Sequence, residues 1–393
     1  MKKILYLMLA AACWSCSNQG NKGQSADCMY ELEIATSNDL KIPINENTKF
    51  VFSALFPCYD KSGKEYLTFK SDNSILFYDF KTSEHLFDVK LDLEGPNGVG
   101  IMSGYHIEDL NNIYITSYYT SFQKFGFVKV DTSGTIKQFI EYGKTNNGHN
   151  VDPSFKSSSY QYTPLIINKN ILYITQHPNQ FSGVAETPVS VAIDTLSNTF
   201  KELPLRYPNL ITDEELNIAL IGLSFSWDFN GKQFVYSFYM DENIYITDIE
   251  TGEEIKIPIK SKYINELKIQ KRPDDDIENI YKLYIESSNY GNLLYDRYRD
   301  VYYRFTHIGA EPPSDYKYPL RELFFNGSVQ FSVIILDKDF NIIGETLFPK
   351  YTYNPKIAFV HKNGLYISDS HILNPSFDEN VLSFKCFTLK EIK

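Results

Sequence analysis

The chain has 393 residues and a formal net charge of -11 at pH 7. This balance argues against nucleic acid as a partner, because phosphate binding needs a basic surface, and against broad electrostatic adhesion to anionic lipid. Hydrophobic residues make up 43% of the chain, including 30 tyrosines and 28 phenylalanines, so it can bury a large core of the residue types that favour strands.

The first residues have the pattern of a bacterial lipoprotein signal. Lys2 and Lys3 precede an apolar run, residues 4–12, that is much shorter than the roughly 20 residues of a membrane-spanning helix. Such a run fits the core of a secretory signal. Its small residues lead directly into a cysteine, and acylation there would anchor the chain. We predict a signal peptide over residues 1–15, followed by a lipidated cysteine and flexible tether over residues 16–28.

Two cysteines compete for the lipid. Cys16 allows a longer apolar run, and its Ser-Cys-Ser context resembles lipoproteins of Bacteroidota, whereas Cys13 lies closer to the usual lipobox. We predict that Cys16 carries the lipid, with Cys13 as the alternative. The interpretation without a lipid is an ordinary cleaved signal in which the two cysteines are incidental. Cys28, Cys58 and Cys386 leave one disulfide open but do not make a disulfide scaffold. Zinc-site spacing is missing from the sequence, and we expect no metal or cofactor.

Beyond the tether, apolar and polar residues alternate nearly everywhere, which predicts strands. Residues 65–91 read as three short strands with turns at 71–73 and 81–84. Similar units, each preceded by another strand, recur along the chain. Their later turns lie at residues 131–134, 194–198, 250–253 and 337–341, and a last unit ends the chain.

Four-stranded antiparallel units at a regular period predict a β-propeller. We count six units, and the last lacks a fourth strand. Residues 29–44 are strand-like and otherwise unpartnered, so we expect them to complete the last blade and to remove the exposed sheet edges. The predicted fold class is all-β: one six-bladed β-propeller of four-stranded antiparallel blades over residues 29–393, closed by the N-terminal strand, with a short helical insertion.

The insertion spans residues 264–291, where apolar side chains have helical spacing between Ile277 and Tyr284. Asp274–Asp276 would lie at the start of that helix, where negative charge is favourable. A metal site is the alternative interpretation of these aspartates, but no ligand-rich loop follows them. A second short helix is predicted from Thr212, which forms a capping box with Glu215.

The loop Glu94-Gly95-Pro96-Asn97-Gly98-Val99-Gly100 precedes an inner strand of the second unit. It resembles a family of Bacteroidota lipoproteins that are TolB-like six-bladed propellers, domain-of-unknown-function family 4221. The resemblance covers most of the chain beyond residue 28 and implies this fold, but it implies no activity and no catalytic residue. Physically, the loop is either a tight connection between blades or a backbone nest that holds an anion.

Candidate site residues come from aligning the second strands of the units. Polar residues follow these strands at equivalent positions, and an inner strand adds His106 near the same mouth. A ring of such side chains could bind a sugar, a peptide or a carboxylate, although polar residues are also common where loops begin. The candidate ligand-binding residues are Tyr118, His177, His307, His371, His106 and Arg304, with Arg297 or Arg299 expected nearby.

Two classes of function remain open. One is a membrane-anchored binding or scaffold propeller that recognises a glycan, a peptide or an envelope protein, which fits the missing Gly-x-Ser-x-Gly, Walker and dinucleotide motifs. The other is an envelope hydrolase or lyase with its site in the central cleft, which fits the histidines and acids. In both cases we expect a cell-envelope location, with a lipid anchor in a bacterial membrane, which we expect to be the outer membrane, on either its periplasmic or its surface side.

Overall fold

The structure is a computed structural model that describes residues 29–36, 38–44, 48, 50–117, 126–152, 163–176, 184–210, 223–268, 276–325, 327 and 329–392. The predicted signal peptide and tether, with Cys13 and Cys16, lie outside the described residues. So do Tyr118, His177, Cys28 and the predicted helix at Thr212.

The fold is all-β, with four separate four-stranded antiparallel sheets in chain order. Sheet 1 contains β3 (Phe50–Tyr59), β4 (Glu65–Ser71), β5 (Ser74–Asp79) and β6 (His85–Lys90). Sheet 2 contains β7 (Met102–Asp109), β8 (Asn112–Ser117), β9 (Gly126–Val130) and β10 (Ile136–Glu141). Sheet 3 contains β11 (Ile166–Asn168), β12 (Ile171–Thr175), β13 (Ser190–Asp194) and β14 (Thr199–Glu202). Sheet 4 contains β15 (Phe225–Phe229), β16 (Gln233–Phe238), β17 (Asn243–Asp248) and β18 (Glu254–Pro258).

The remaining strands form one nine-stranded sheet. One part of it contains β19 (Asn289–Asp296), β20 (Val301–Ile308), β21 (Gln330–Asp337) and β22 (Ile342–Leu347). The other part contains β23 (Asn354–His361), β24 (Gly364–Ser368) and β25 (Val381–Glu391). The N-terminal strands β1 (Tyr30–Ile34) and β2 (Leu40–Pro43) complete this sheet.

Both N-terminal strands pair with the last strand of the chain. Strand β1 pairs antiparallel with residues 387–391 of β25, and β2 pairs antiparallel with residues 381–384. The sequence suggested a single strand over residues 29–44, but a turn in which the Asn38 N–H donates to the Ala35 carbonyl divides it. A parallel bridge from Tyr30 to Gly344 joins β1 to β22. A Cβ atom at Gly344 would lie 2.1 Å from the Tyr30 carbonyl oxygen, so this approach requires glycine.

The core lies between neighbouring sheets because both faces of most strands are covered. Separate apolar clusters join sheets 1 and 2, sheets 2 and 3, and sheets 3 and 4. Further clusters join sheet 4 to β19–β22, and β19–β22 to β23–β25. Another cluster joins β23–β25 and β2 back to sheet 1. Neighbouring sheets thus pack face to face, as the blades of a propeller do.

The two ends of the strands differ. We call the end that carries the connections from β3 to β4, β19 to β20 and β23 to β24 the short-turn face, and its connections are at most five residues long. The opposite end, the long-loop face, has short turns such as that from β4 to β5, but it also carries all of the longer connections, of which the longest joins β18 to β19 over residues 259–288.

Aspartates shape the turns of the short-turn face. In the turns that follow third strands, the carboxylate accepts backbone N–H groups two or three residues later at Asp79, Asp131, Asp194, Asp248 and Asp337. Such Asx turns satisfy the backbone locally. The repeated aspartate explains why the polar turns recur so regularly in the sequence.

Carboxylates in these turns make the stability of the fold depend on pH in the acidic range. The ion pair with Lys137, then the hydroxyl of Ser133, hold the pKa of Asp131 well below its usual range, and the Ser62 hydroxyl is the main cause that lowers the pKa of Asp60 to about 2. A lowered folded-state pKa contributes stability that is complete above the unfolded value of about 3.9 and is lost as the pH falls through the folded value. We expect the unfolding temperature to fall between about pH 4 and pH 2.

The variant Asp131→Asn tests this dependence. It should unfold at a lower temperature than the natural chain at pH 7, and the gap should close as the pH falls, because the natural side chain then loses its advantage. Asp339→Asn is the control, since only the backbone N–H of Asp339 takes part in its turn. A gap that stays constant from pH 7 to pH 2 would contradict the account.

Candidate functional site

Two helices cover part of the long-loop face. Helix α1 (Ile277–Glu286) lies within the predicted insertion, and Asp276 caps it by accepting the Glu278 N–H. This supports the capped-helix interpretation of the aspartate run. Helix α2 (Leu320–Phe325) was not predicted, although Pro319 before a Leu-x-x-Leu-Phe pattern was an available signal. The Glu278 carboxylate accepts the Leu320 N–H at 2.9 Å and so ties the two helices together.

The ends of β20 and β23 lie under these helices. The Lys356 ammonium group lies 3.4 Å from the centre of the Phe324 ring and donates to the Phe324 carbonyl. The Asn354 amide donates to the Phe325 carbonyl at 3.3 Å. Both side chains donate to carbonyls at the C-terminus of α2, where a positive charge such as that of Lys356 is favourable. Sequence reasoning did not single out Lys356 or Asn354.

His307 lies at the end of β20 beside this group. Its Nε2 donates to the Ile285 carbonyl in the last turn of α1 at 3.0 Å. Burial, then the charge of Lys356, lowers the pKa of His307 to about 4. The imidazole is therefore neutral at pH 7 and joins the second strand of its sheet to the helical layer.

His371 is fully buried in the connection between β24 and β25. Its Nδ1 accepts the Leu373 N–H at 3.0 Å, and its ring packs against Tyr351. Gly327 faces Nε2 so closely that a Cβ there would lie 2.1 Å from it. His307 and His371 thus border one apolar cluster, which contains Ile285 of α1 and Leu373.

His106 lies in β7, where burial lowers its pKa to about 4 despite a hydrogen bond to the Leu165 backbone. Arg297 and Arg299 were expected near the histidines, and this is wrong. They lie in the turn between β19 and β20, at the opposite end of the β20 strand from His307. Seven residues of strand separate Val301 from Ile308, which is about 23 Å.

Arg304 is fully buried between β20 and sheet 4. Its guanidinium donates to the Ser237 hydroxyl and to four backbone carbonyls, those of Asp241, Glu242, Asn243 and Ile259. It also lies 3.5 Å from the centre of the Tyr290 ring. Each of its five N–H groups thus has an acceptor inside the protein. Arg304 joins two sheets, and its side chain has no exposed surface for a ligand.

The Gly-rich loop behaves as a tight connection between sheets. The Gly98 N–H donates to the Gly95 carbonyl of the loop, and the N–H groups of Val99 and Gly100 donate to the carbonyls of Asp92 and Leu93 just before it. Because three consecutive N–H groups are already bonded, the geometry favours the turn over an anion nest.

Asn73 holds this loop in place. Its amide donates to the carbonyls of Leu91 and Gly100, at 2.9 and 3.0 Å, and its side-chain oxygen accepts the Met102 N–H at 2.8 Å. Asn73 lies in the turn between β4 and β5, so it fixes the crossing from sheet 1 to sheet 2.

Replacing Asn73 with alanine should lower the free energy of unfolding by about 2–3 kcal/mol, since three hydrogen bonds worth about 1 kcal/mol each are lost. Urea denaturation measures this. Asn111→Ala, at an exposed turn position, is the matched control and should change the free energy by less than about 0.5 kcal/mol. Equal effects of the two substitutions would show that Asn73 does not hold the crossing.

A second polar cluster lies at the end of β14. The buried carboxylate of Glu202 accepts from Thr145 and His149 at 2.6 Å each, from Arg206 at 2.7 Å and from Asn147 at 2.9 Å. These donors fasten the connection between β10 and β11 to sheet 3. Since both carboxylate oxygens are saturated, the cluster is a structural one.

Other site classes find little support in the described part of the chain. No group of three or more histidine, cysteine, aspartate or glutamate side chains there could hold a metal ion. Neither α1 nor α2 has the length and apolar character to cross a membrane. Cys58 and Cys386 are free thiols, and burial raises their pKa values to about 12 and about 11.

Comparison with known proteins decides the family. Residues 31–347 match the family described as a domain of unknown function, DUF4221. The chain belongs to the DUF4221 family. A crystal structure of a DUF4221 member from Bacteroides vulgatus is 28% identical in sequence, with a TM-score of 0.78, and covers 93% of this chain and 100% of its own. The family resemblance read from the Gly-rich loop is therefore confirmed.

More distant structures are also similar. A Bacteroides fragilis protein assigned as exported is 10% identical over 94% of this chain and 97% of its own, with a TM-score of 0.49. A protein from Agrobacterium tumefaciens assigned as TolB is 10% identical over 92% of this chain and 98% of its own, with a TM-score of 0.37. A comparison with curated proteins finds no match.

Proposed function

We propose that this DUF4221 protein is a lipid-anchored binding propeller of the bacterial envelope. Its sheets would be six blades, with β2 as the fourth strand of the last blade and β1 beside it. Support comes from the apolar clusters, which join each sheet to the next and the last strands to sheet 1. A ring of this kind has two faces on which a partner could bind.

The single observation that carries the binding role is the difference between the two faces. The long-loop face carries connections of up to 30 residues, whereas the short-turn face has none longer than five. Recognition residues in proteins concentrate on loops positioned by a rigid scaffold. The long-loop face is therefore the proposed partner surface.

Exposed apolar side chains on this face favour a protein or peptide partner over a glycan. Loops of the long-loop face present Leu93 and Ile101 at 53% exposure, Tyr318 at 62% and Phe377 at 41%. Single exposed apolar residues are common, but four of them on the loops of one face suit the apolar centre of a protein interface. The binding role is also favoured over a hydrolase or lyase, because His307 and His371 hydrogen-bond to backbone groups.

Crosslinking and capture from native envelope would test the partner surface. Ile101→Asp and Phe377→Asp should each reduce recovery of a specific partner at least tenfold relative to the natural chain. Leu196→Asp is the matched control, because Leu196 is 77% exposed in a turn of the short-turn face. Equal recovery with all three variants would contradict the proposal.

The lipid anchor is tested separately. Metabolic labelling with a palmitate analogue should label the natural chain and Cys13→Ala, whereas Cys16→Ala should lose the label and its membrane association. The opposite pattern would assign the lipid to Cys13. Labelling of neither the natural chain nor the variants would refute the anchor.

A further inference from the structure

The short-turn face carries a group of side chains that the proposed partner surface does not use. The turn between β19 and β20 presents Arg297 and Tyr298 outward, and both are exposed. Asp296 fixes this turn, because its carboxylate accepts the N–H groups of Tyr298 and Arg299 at 3.0 and 3.2 Å. The two outward side chains therefore project from a rigid backbone.

Arg297 and Arg299 differ in their partners. Arg299 forms an ion pair with Asp296 at 2.9 Å and donates to the carbonyls of His361 and Lys362. In the described part of the chain, the guanidinium of Arg297 has no hydrogen bond and no ion pair, and it lies 5.8 Å from the centre of the Tyr298 ring. An exposed arginine that forms no close ion pair with a described residue is notable in a chain with 49 acidic and 38 basic residues.

The position of Arg297 is central. It follows β19, whose Tyr295 N–H donates to the Asp228 carboxylate of β15 in sheet 4 at 2.7 Å. The neighbouring Tyr298 hydroxyl is hydrogen-bonded to that of Tyr59 at the end of β3 in sheet 1. The first strands of three sheets therefore meet near Arg297 at the short-turn face.

Aromatic rings continue from Tyr298 into the contact between sheet 1 and β23. The hydroxyl groups of Tyr298 and Tyr59 are hydrogen-bonded at 2.9 Å. The Tyr59 ring is parallel to that of His361, with centres 6.4 Å apart, and His361 stacks on Phe80 at 4.1 Å. Packing against these rings holds Tyr59 in place, so little side-chain entropy would be lost on binding.

We propose that Arg297, Tyr298 and Tyr59 form a binding site for a carboxylate-bearing sugar, such as a uronic acid residue of a glycan. The planar guanidinium matches a carboxylate through two parallel hydrogen bonds. Tyrosine rings offer flat apolar surface beside hydroxyl groups, and a pyranose ring has apolar faces and a hydroxylated edge. The two tyrosine hydroxyls can exchange their mutual bond for bonds to the sugar.

The site is tested on the folded chain with methyl glucuronide, observed by saturation-transfer NMR and by titration of tyrosine fluorescence. Methyl glucoside, which has the ring without the carboxylate, should bind at least tenfold more weakly. Acetate, which has the carboxylate without the ring, should also bind at least tenfold more weakly. Equal binding of glucuronide and acetate would reduce the site to a simple anion site and overturn the proposal.

Variants identify the residues. Arg297→Gln should weaken glucuronide binding at least tenfold, because a charge-assisted pair of hydrogen bonds is lost, and Tyr298→Leu should weaken both sugars. Arg321→Gln, at an exposed position of α2 on the other face, should bind as the natural chain does. Circular dichroism confirms that each variant is folded. The site would be refuted if the folded natural protein does not bind glucuronide at 10 mM, about a tenfold excess over a 1 mM Kd. Unchanged glucuronide binding by Arg297→Gln would also refute it. Neither outcome would affect the proposed partner surface.

Discussion

Deletion of residues 29–44 is expected to leave the chain unable to fold. This segment contains β1 and β2, and it buries Leu32, Leu40 and Ile42 at 6%, 4% and 0% exposure. Each such side chain contributes about 1.5–3 kcal/mol, and removal of the strands would also uncover Leu382 and Phe384 of β25. The sum approaches the about 5–15 kcal/mol that stabilises a typical domain.

A pair of point variants in β2 separates this effect from a simple shortening of the chain. Ile42→Asp puts a charge into the cluster between β23–β25 and sheet 1 and should lower the free energy of unfolding by about 3–5 kcal/mol, in the range of the largest single-residue effects. Lys41→Asp changes an exposed neighbour on the same strand and should cost less than about 1 kcal/mol. A deletion variant with unchanged cooperative unfolding would show that β25 does not need its N-terminal partners.

Arg304→Leu is expected to destabilise the chain by about 3–5 kcal/mol, because several buried carbonyls lose their donors at a cost of about 1–3 kcal/mol each. Burial lowers the pKa of Arg304 to about 10, so the side chain remains a cation at neutral pH. Leucine would leave the carbonyls of Asp241, Glu242 and Ile259 without the donors that now satisfy them. Urea denaturation at pH 7 measures the loss.

Two further variants show whether the loss comes from this network. Arg304→Lys keeps the charge but has three donors in place of five, so its stability should lie between those of the natural chain and Arg304→Leu. Arg321→Leu removes an exposed arginine from α2 and should change the free energy by less than about 1 kcal/mol. A loss of under about 1 kcal/mol for Arg304→Leu would contradict the role of Arg304 in joining the sheets.

The strands could be predicted because their pattern is local. Short runs such as Ser190–Asp194 and Asn243–Asp248 are rich in strand-forming residues, and each ends at an aspartate whose carboxylate accepts backbone N–H groups of the next turn. Helix α1 was predictable for a similar reason, since its spacing and its Asp276 cap lie within one short segment. The separation of residues 29–44 into two strands depends on the length of β25, which residues far away in the sequence determine.

The candidate site was harder to predict because the next sheet covers side chains that the local sequence leaves ambiguous. Residues 301–306 of β20 are all buried, so alternation in this strand does not distinguish a core-facing residue from one that faces a ligand. Arg304 therefore resembles a binding residue in the sequence, whereas in the fold sheet 4 covers it and supplies most of its hydrogen-bond acceptors. Lys356 and Asn354 were missed because only the position of α2, 30 residues earlier, makes them neighbours of a helix end.

Hydrogen exchange at the N-terminal strands tests the central claim most directly, namely that the chain's own beginning completes its last sheet. Backbone amides of residues 30–34 and 40–42 should exchange as slowly as those of residues 365–368 in β24, because both sets pair with β25. Exchange of the N-terminal amides at the rate of an unstructured peptide, while residues 365–368 stay protected, would contradict the account.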